Sequence, residues 1–120
     1  AFETLDYLKS RYELHIITNG FNQSQYNKLK SSKLDSYFDL IVTSENSGFR
    51  KPDKRIFDHA MLQLKTEAIN CLMIGDNPLS DIQGAQNAEI DQVFYNPLKT
   101  ESKISPTYTI NHLSELTTIL

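Results

Sequence analysis

Residues 71–85 read CLMIGDNPLSDIQGA, and this stretch decides the fold class. Its first four residues form an apolar run without alternation, which is typical of a parallel strand covered on both faces. Gly75 and Asp76 end the run, and a short helix is predicted to follow through Ala85. A buried strand that leads directly into a helix is the unit from which parallel α/β sheets are built.

The rest of the chain repeats this alternation of helix and strand. Such alternation favours right-handed β-α-β units, so we expect one domain, residues 1–120, with an α/β fold: a three-layer αβα, Rossmann-like open parallel sheet. The apolar periodicity predicts helices over residues 2–11 and 22–32 and from Pro52, placed in the first helical turn, to Leu64. Strands are predicted at residues 14–18, 38–43, 71–74, 93–95 and 108–110, and loops at residues 44–50 and 96–106.

The composition narrows the classes of function. With 12 basic and 15 acidic residues the net charge is −3, which argues against a nucleic-acid footprint and against attraction to an anionic membrane. No apolar run approaches the roughly 18 residues of a membrane span, and no leader-like segment opens the sequence. Cys71 is the only cysteine, which fits a reducing compartment. We therefore expect a cytoplasmic protein that acts on a small molecule.

Polar side chains follow three of the predicted strands. Ligands of open α/β sheets bind beyond the carboxyl ends of the strands, so these positions are the candidate site. They are Thr18, Asn19 and Gly20 after the first strand, Lys51 in the loop after the second, and Asp76 and Asp81 after the third.

This set of groups suits phosphoryl transfer. The Thr18 hydroxyl can donate to a phosphate oxygen, and the backbone N–H groups of Asn19 and Gly20 can form an anion-binding nest. Lys51 supplies a compact positive charge. Asp76 and Asp81 can face one Mg²⁺, which favours a few carboxylates, waters and a substrate phosphate. The sequence therefore predicts a phosphate site with a magnesium ion as cofactor.

These residues resemble the motifs of the haloacid dehalogenase-like hydrolases, a superfamily dominated by Mg²⁺-dependent phosphatases. The resemblance covers nearly the whole chain, in the family's order and spacing. It is carried by Ile16 to Gly20, by Lys51-Pro52-Asp53 with Ile56-Phe57, and by Gly75-Asp76 through Asp81-Ile82 with Gly84-Ala85. The stretch from Ser44 to Phe57 is similar to bacterial 5′-nucleotidases that act on pyrimidine monophosphates, within the subgroup that has a helical cap. Glu89 stands where the family usually has glycine.

The resemblance implies a role for each motif residue. Thr18 would bind the transferring phosphate, Lys51 would steady the nucleophile and the phosphate, and Asp76 would ligate Mg²⁺. Asp81 would either assist the metal or orient Lys51. The substrate would be a small phosphorylated metabolite, such as a nucleotide.

One family motif is absent from the sequence. The family attacks with an aspartate of an Asp-x-Asp motif on the first, central strand, and these 120 residues contain no Asp-x-Asp. We therefore expect the chain to be the C-terminal part of a larger hydrolase core, without the first strand and the cap, and inactive by itself. The missing strand would lie between those ending at Thr18 and Asp76. These two strands would then pair directly, or another chain would fill the gap, as in a homo-oligomer formed through the exposed sheet edges.

Two other classes of function compete with a phosphatase. A non-catalytic phosphate-binding or assembly module of the same fold stays open, although a site without chemistry would not need Lys51, Asp76 and Asp81 together. A dinucleotide-binding domain is disfavoured, because no Gly-x-Gly-x-x-Gly turn follows a strand.

Overall fold

The structure is a computed structural model and describes residues 2–120. Helices and parallel strands alternate along it, as the sequence predicts. The helices are α1 (Phe2–Lys9), α2 (Asn22–Ser32), α3 (Ser44–Ser47), α4 (Lys54–Leu64), α5 (Gly84–Asn87) and α6 (Leu116–Ile119). The strands are β1 (His15–Thr18), β2 (Leu40–Thr43), β3 (Leu72–Gly75), β4 (Asp91–Tyr95) and β5 (Tyr108–Ile110). A π-helical turn, Pro78–Gln83, leads into α5.

The strands form two parallel sheets instead of one. β1 pairs with β2, with Thr18 opposite Thr43, whereas β3, β4 and β5 form a second sheet in that order. The parallel α/β class is confirmed, and the break between the sheets lies between β1 and β3, where the missing strand is expected. Within residues 2–120 no ladder joins β1 to β3, so of the two alternatives for this gap, direct pairing of these strands is wrong.

Helices α4 and α5 cover one face of both sheets. Val42 of β2 packs there with Phe57 of α4 and Ala85 of α5, and partly buried Ile17 and Met73 reach the same cluster from β1 and β3. Burying a phenylalanine or isoleucine side chain contributes about 1.5–3 kcal/mol, so this layer stabilises the fold substantially. Because both sheets rest on one layer of helices, packing holds β1 and β3 side by side without pairing.

Helices α1 and α6 cover the opposite face. Leu8 and Leu116 pack there against Val93 and Ile110, together with partly buried Leu72 and Ile74 of β3. Met73 points to one cluster and its two neighbours point to the other, which explains why this strand has no alternating polar positions. The predicted three-layer order is therefore confirmed.

Two local predictions between β2 and α4 are wrong. The predicted loop at residues 44–50 begins with helix α3, because the Thr43 side chain accepts a hydrogen bond from the Asn46 N–H and the Asn46 side chain accepts one from the Thr43 N–H. Pro52 does not open α4. Asp53 is the N-cap instead, and its side chain accepts a hydrogen bond from the Arg55 N–H.

Over residues 2–120, no helix combines the length and the apolar character needed to cross a lipid bilayer.

Glu89 has a φ of 62°, in the left-handed region that favours glycine, which gives a physical reason for the glycine that the resemblance expects there.

Candidate active site

The predicted site residues lie at the carboxyl ends of β1 and β3 and in the loop that follows α3. β1 ends at Thr18 and β3 ends at Gly75, so Asn19 and Asp76 each follow a strand directly. Lys51 reaches from its loop to Asn19, directly after β1, and to Asp81 in the turn that follows β3. The structure therefore brings residues from both sheets together across the gap between β1 and β3.

Lys51 and Asp81 form the central ion pair of the site. The Lys51 Nζ lies 2.5 Å from the Asp81 Oδ1, and the two side chains are only 12% and 8% exposed. Lys51 sits in a tight turn in which the Lys51–Pro52 peptide bond is cis and the Asp53 N–H donates to the Arg50 carbonyl oxygen at 2.9 Å. A buried, charge-assisted contact of this length fixes the ammonium group in one place.

The position of Asp81 follows from its local structure. The Asn77 side-chain oxygen accepts hydrogen bonds from the N–H groups of Leu79 and Ser80, which starts the π-helical turn. The second Asp81 carboxylate oxygen accepts a hydrogen bond from the Asn77 N–H at 3.2 Å. Asp81 packs against Gly75, where an added Cβ would come closer than 3.0 Å to its side chain. Both carboxylate oxygens of Asp81 are therefore engaged within the chain.

Asp76 differs from Asp81 in its surroundings. Its side chain is exposed, and within residues 2–120 no hydrogen bond or ion pair involves its carboxylate. Asp76 thus fits a Mg²⁺ ligand, whereas Asp81 would have to give up its contact with Lys51 to become one. Of the two roles that the resemblance offers for Asp81, this geometry favours the orientation of Lys51.

Thr18 and Gly20 form a small turn at the end of β1. The Gly20 N–H donates to the Thr18 Oγ1 at 3.1 Å, so the Thr18 hydroxyl can donate its own hydrogen to a ligand. Thr18 is half-buried beside the gap between the sheets. The Gly20 N–H, which we expected in an anion-binding nest, is engaged with Thr18 instead.

Asn19 has a contact that the sequence did not suggest. Its side-chain oxygen accepts a hydrogen bond from the Lys51 N–H at 2.7 Å, and its side-chain nitrogen donates to the Lys51 carbonyl oxygen at 3.2 Å. Ser44, also missed, donates its hydroxyl to the Asn19 carbonyl oxygen at 2.9 Å. Spacing cannot reveal such contacts, because 32 residues separate Asn19 from Lys51 and only the fold brings them together.

A second cluster of metal-binding residue types lies at the other end of β1 and β2. Glu13, His15 and Asp39 place potential ligand atoms within 4.8 Å of one another, but at the amino ends of these strands. Lys9 already donates to both Asp39 carboxylate oxygens, at 3.1 and 3.2 Å. Burial lowers the pKa of His15, against the opposing effect of Glu13 and Asp39. This cluster is therefore separate from the predicted magnesium site at the carboxyl ends.

The fold and this edge of the sheets together define a class of protein, the Rossmann-like α/β proteins whose ligands bind beyond the strand ends. Residues 1–95 match the haloacid dehalogenase-like hydrolase family. The chain belongs to this family, so the resemblance drawn from its motifs is confirmed.

Known proteins agree with this assignment. The chain is 38% identical to the pyrimidine 5′-nucleotidase YjjG of Escherichia coli over 100% of its own length and 55% of that protein. It is 37% identical to the glyceraldehyde 3-phosphate phosphatase of Methanothermobacter thermautotrophicus over 83% of its length and 45% of that protein. A crystal structure of the HAD-hydrolase YfnB of Bacillus subtilis, bound to magnesium, superposes with a TM-score of 0.94 at 37% identity, covering 99% of this chain and 54% of that one.

The matches cover most of this chain but only part of each relative. The chain spans about half the length of the curated relatives it matches. Relatives over that shared half include enzymes that act on phosphorylated small molecules, as their names state. These likenesses support hydrolase parentage of the phosphatase type.

Proposed function

We propose that this chain is the C-terminal part of the core domain of a Mg²⁺-dependent phosphomonoester hydrolase. In the complete protein, an aspartate from outside these 120 residues would attack the phosphate and form an aspartyl-phosphate. The chain alone would be inactive. The substrate would be a small phosphorylated metabolite, and the likeness to YjjG favours a nucleotide.

The observation that carries this proposal is the Lys51–Asp81 ion pair at the edge where Thr18 and Asp76 also lie. Preorganised charge is the main means by which proteins stabilise the charge that develops in phosphoryl transfer. Lys51 would hold its ammonium group toward the phosphate oxygens, and the Thr18 hydroxyl would donate to another of them. Asp81 would keep Lys51 in place through the transfer.

Asp76 would hold the metal ion. Its exposed carboxylate is a suitable hard ligand, and Mg²⁺ in such sites typically keeps several waters and binds the substrate phosphate directly. When bound, Mg²⁺ would supply additional positive charge to the phosphate oxygens. Further protein ligands would come from the same outside segment as the nucleophile.

The gap between β1 and β3 supports a nucleophile from outside these residues. No Asp-x-Asp occurs in the chain, and the resemblance assigns the nucleophile to a strand between those that end at Thr18 and Gly75. The absence of Asp-x-Asp also keeps a second candidate, a non-catalytic phosphate-binding or assembly module. Cytoplasmic location and assembly through the open sheet edges stay predictions.

The test compares hydrolysis of p-nitrophenyl phosphate, with Mg²⁺, by this chain and by the same chain extended with its upstream coding region. We expect activity only in the longer form, and loss of that activity when EDTA removes the metal. In the longer form, Lys51→Met should reduce kcat/KM by about 100-fold, the usual loss when one charge-stabilising group is removed. The matched control Lys9→Met removes a partly exposed lysine from the opposite end of the strands and should leave activity unchanged.

Two results would contradict the proposal. Activity in the short chain would mean that another nucleophile operates within these residues. An inactive longer form that still binds inorganic phosphate would favour the non-catalytic module. If the longer form is active, comparing a pyrimidine monophosphate with glyceraldehyde 3-phosphate decides between the two substrate classes of the relatives named above.

A further inference from the structure

The side-chain amide of Asn19 holds the main chain of Lys51 at two points. Its oxygen accepts a hydrogen bond from the Lys51 N–H at 2.7 Å, and its nitrogen donates to the Lys51 carbonyl oxygen at 3.2 Å. Two antiparallel bonds to one residue fix both its position and its orientation, as a ladder does between strands. Asparagine is suited to this task because its short side chain carries one acceptor and one donor group.

Asn19 is itself held from a third element. Ser44 donates its hydroxyl to the carbonyl oxygens of Asn19 and Gly20, at 2.9 and 3.3 Å. Ser44 is the first residue of α3, directly after fully buried Thr43. The end of β2 thus anchors the end of β1, which in turn anchors the Lys51 loop.

The far end of Lys51 is fixed by a different contact. Its ammonium group lies against Asp81, beyond the gap between the two sheets. A lysine side chain has four rotatable bonds and loses much rotamer entropy when it is ordered. Its ammonium group keeps one position only if the main chain at its base is also fixed, and Asn19 provides that fixed base.

We propose that Asn19 is a positioning residue that sets the location of the Lys51 ammonium group, with Ser44 as its support. The positioning rests on the contacts above, whereas its consequence for phosphate hydrolysis rests on the proposed function. Loss of the Asn19 amide would free the Lys51 loop and expose its ammonium group to solvent.

The test measures how fast the Lys51 amine is acetylated by an N-hydroxysulfosuccinimide ester, relative to Lys54. The two side chains are 12% and 59% exposed, and cleavage after glutamate places both in one peptide for mass spectrometry. Asn19→Leu keeps the size of the side chain but removes both hydrogen bonds. It should raise the Lys51 to Lys54 rate ratio by about tenfold, as expected for two lost hydrogen bonds.

Two further variants complete the experiment. Ser44→Ala removes only the support and should raise the same ratio by about threefold, so the proposal can be tested even if Asn19→Leu does not fold. Asn70→Ala changes an exposed asparagine in a 3₁₀ turn and should leave the ratio unchanged. An unchanged ratio in both Asn19→Leu and Ser44→Ala would overturn the proposal.

The acetylation ratio needs no catalysis, so it separates this inference from the proposed function. In an active longer form, Asn19→Leu should lower kcat more than it raises KM, because a displaced Lys51 no longer meets the charge that develops in the transition state. If the longer form is inactive but the ratio still rises, the proposed function fails and the positioning role of Asn19 stands.

Discussion

The Asp81 side chain occupies the space in which any β-carbon on residue 75 would lie. Gly75 is therefore required at this position by a close approach, not by its backbone freedom. The requirement connects the last residue of β3 to the ion pair, because the carboxylate that crowds Gly75 is the one that holds Lys51.

Gly75→Ala should therefore disturb the site as well as the fold. The added methyl group must displace Asp81, and such overpacking typically costs about 1–3 kcal/mol of unfolding free energy. Urea denaturation measures this cost. As a control, Asn70→Ala changes an exposed side chain and should change the unfolding free energy by less than about 0.5 kcal/mol. Equal stability of Gly75→Ala and the wild type would show that Asp81 is placed differently.

The Lys51–Asp81 pair should contribute far more to stability than a surface pair. Lys51→Met leaves a buried carboxylate without its partner, and breaking such a pair costs about 3 kcal/mol. In a double-mutant cycle, Lys51→Met with Asp81→Leu should cost clearly less than the sum of the two single changes. The matched change Lys9→Met breaks the exposed pair with Asp39 and should cost less than about 1 kcal/mol. Additive costs at Lys51 and Asp81 would contradict a coupled pair.

Much of this arrangement could be predicted from sequence, because strands and their following residues carry local signals. The apolar run before Gly75 gave β3, and the rule that ligands bind beyond strand ends gave Thr18, Lys51 and Asp76 as candidates. The side-chain role of Asn19 has no such signal, since its partner is distant in sequence. The sequence indicates a gap between β1 and β3, but not whether these strands pair across it, because periodicity predicts strands and not which of them pair.

The left-handed conformation of Glu89 offers a test of backbone strain. In this region a β-carbon lowers the free energy of unfolding by about 1–2 kcal/mol. Glycine avoids this strain, but its larger entropy in the unfolded chain offsets part of the gain. Glu89→Gly should therefore raise the unfolding free energy by about 0.5–1 kcal/mol, measured by urea denaturation. Glu67→Gly provides the matched control at an extended position with φ −119°, where glycine should destabilise the protein. A loss of stability in Glu89→Gly would mean that contacts of the Glu89 side chain outweigh its backbone strain.

The contact between α4 and α5 bears on the spacing of β1 and β3, because both strands pack against this layer of helices. A β-carbon on Gly84 would lie 2.8 Å from the Phe57 ring and 3.1 Å from the Pro52 Cα, so these helices approach as closely as a glycine allows. Since no backbone ladder joins β1 to β3 within residues 2–120, the spacing of the two strands depends on side-chain packing, including their packing against these helices. Any side chain at residue 84 would force α4 and α5 apart, and the gap between β1 and β3 would change with them.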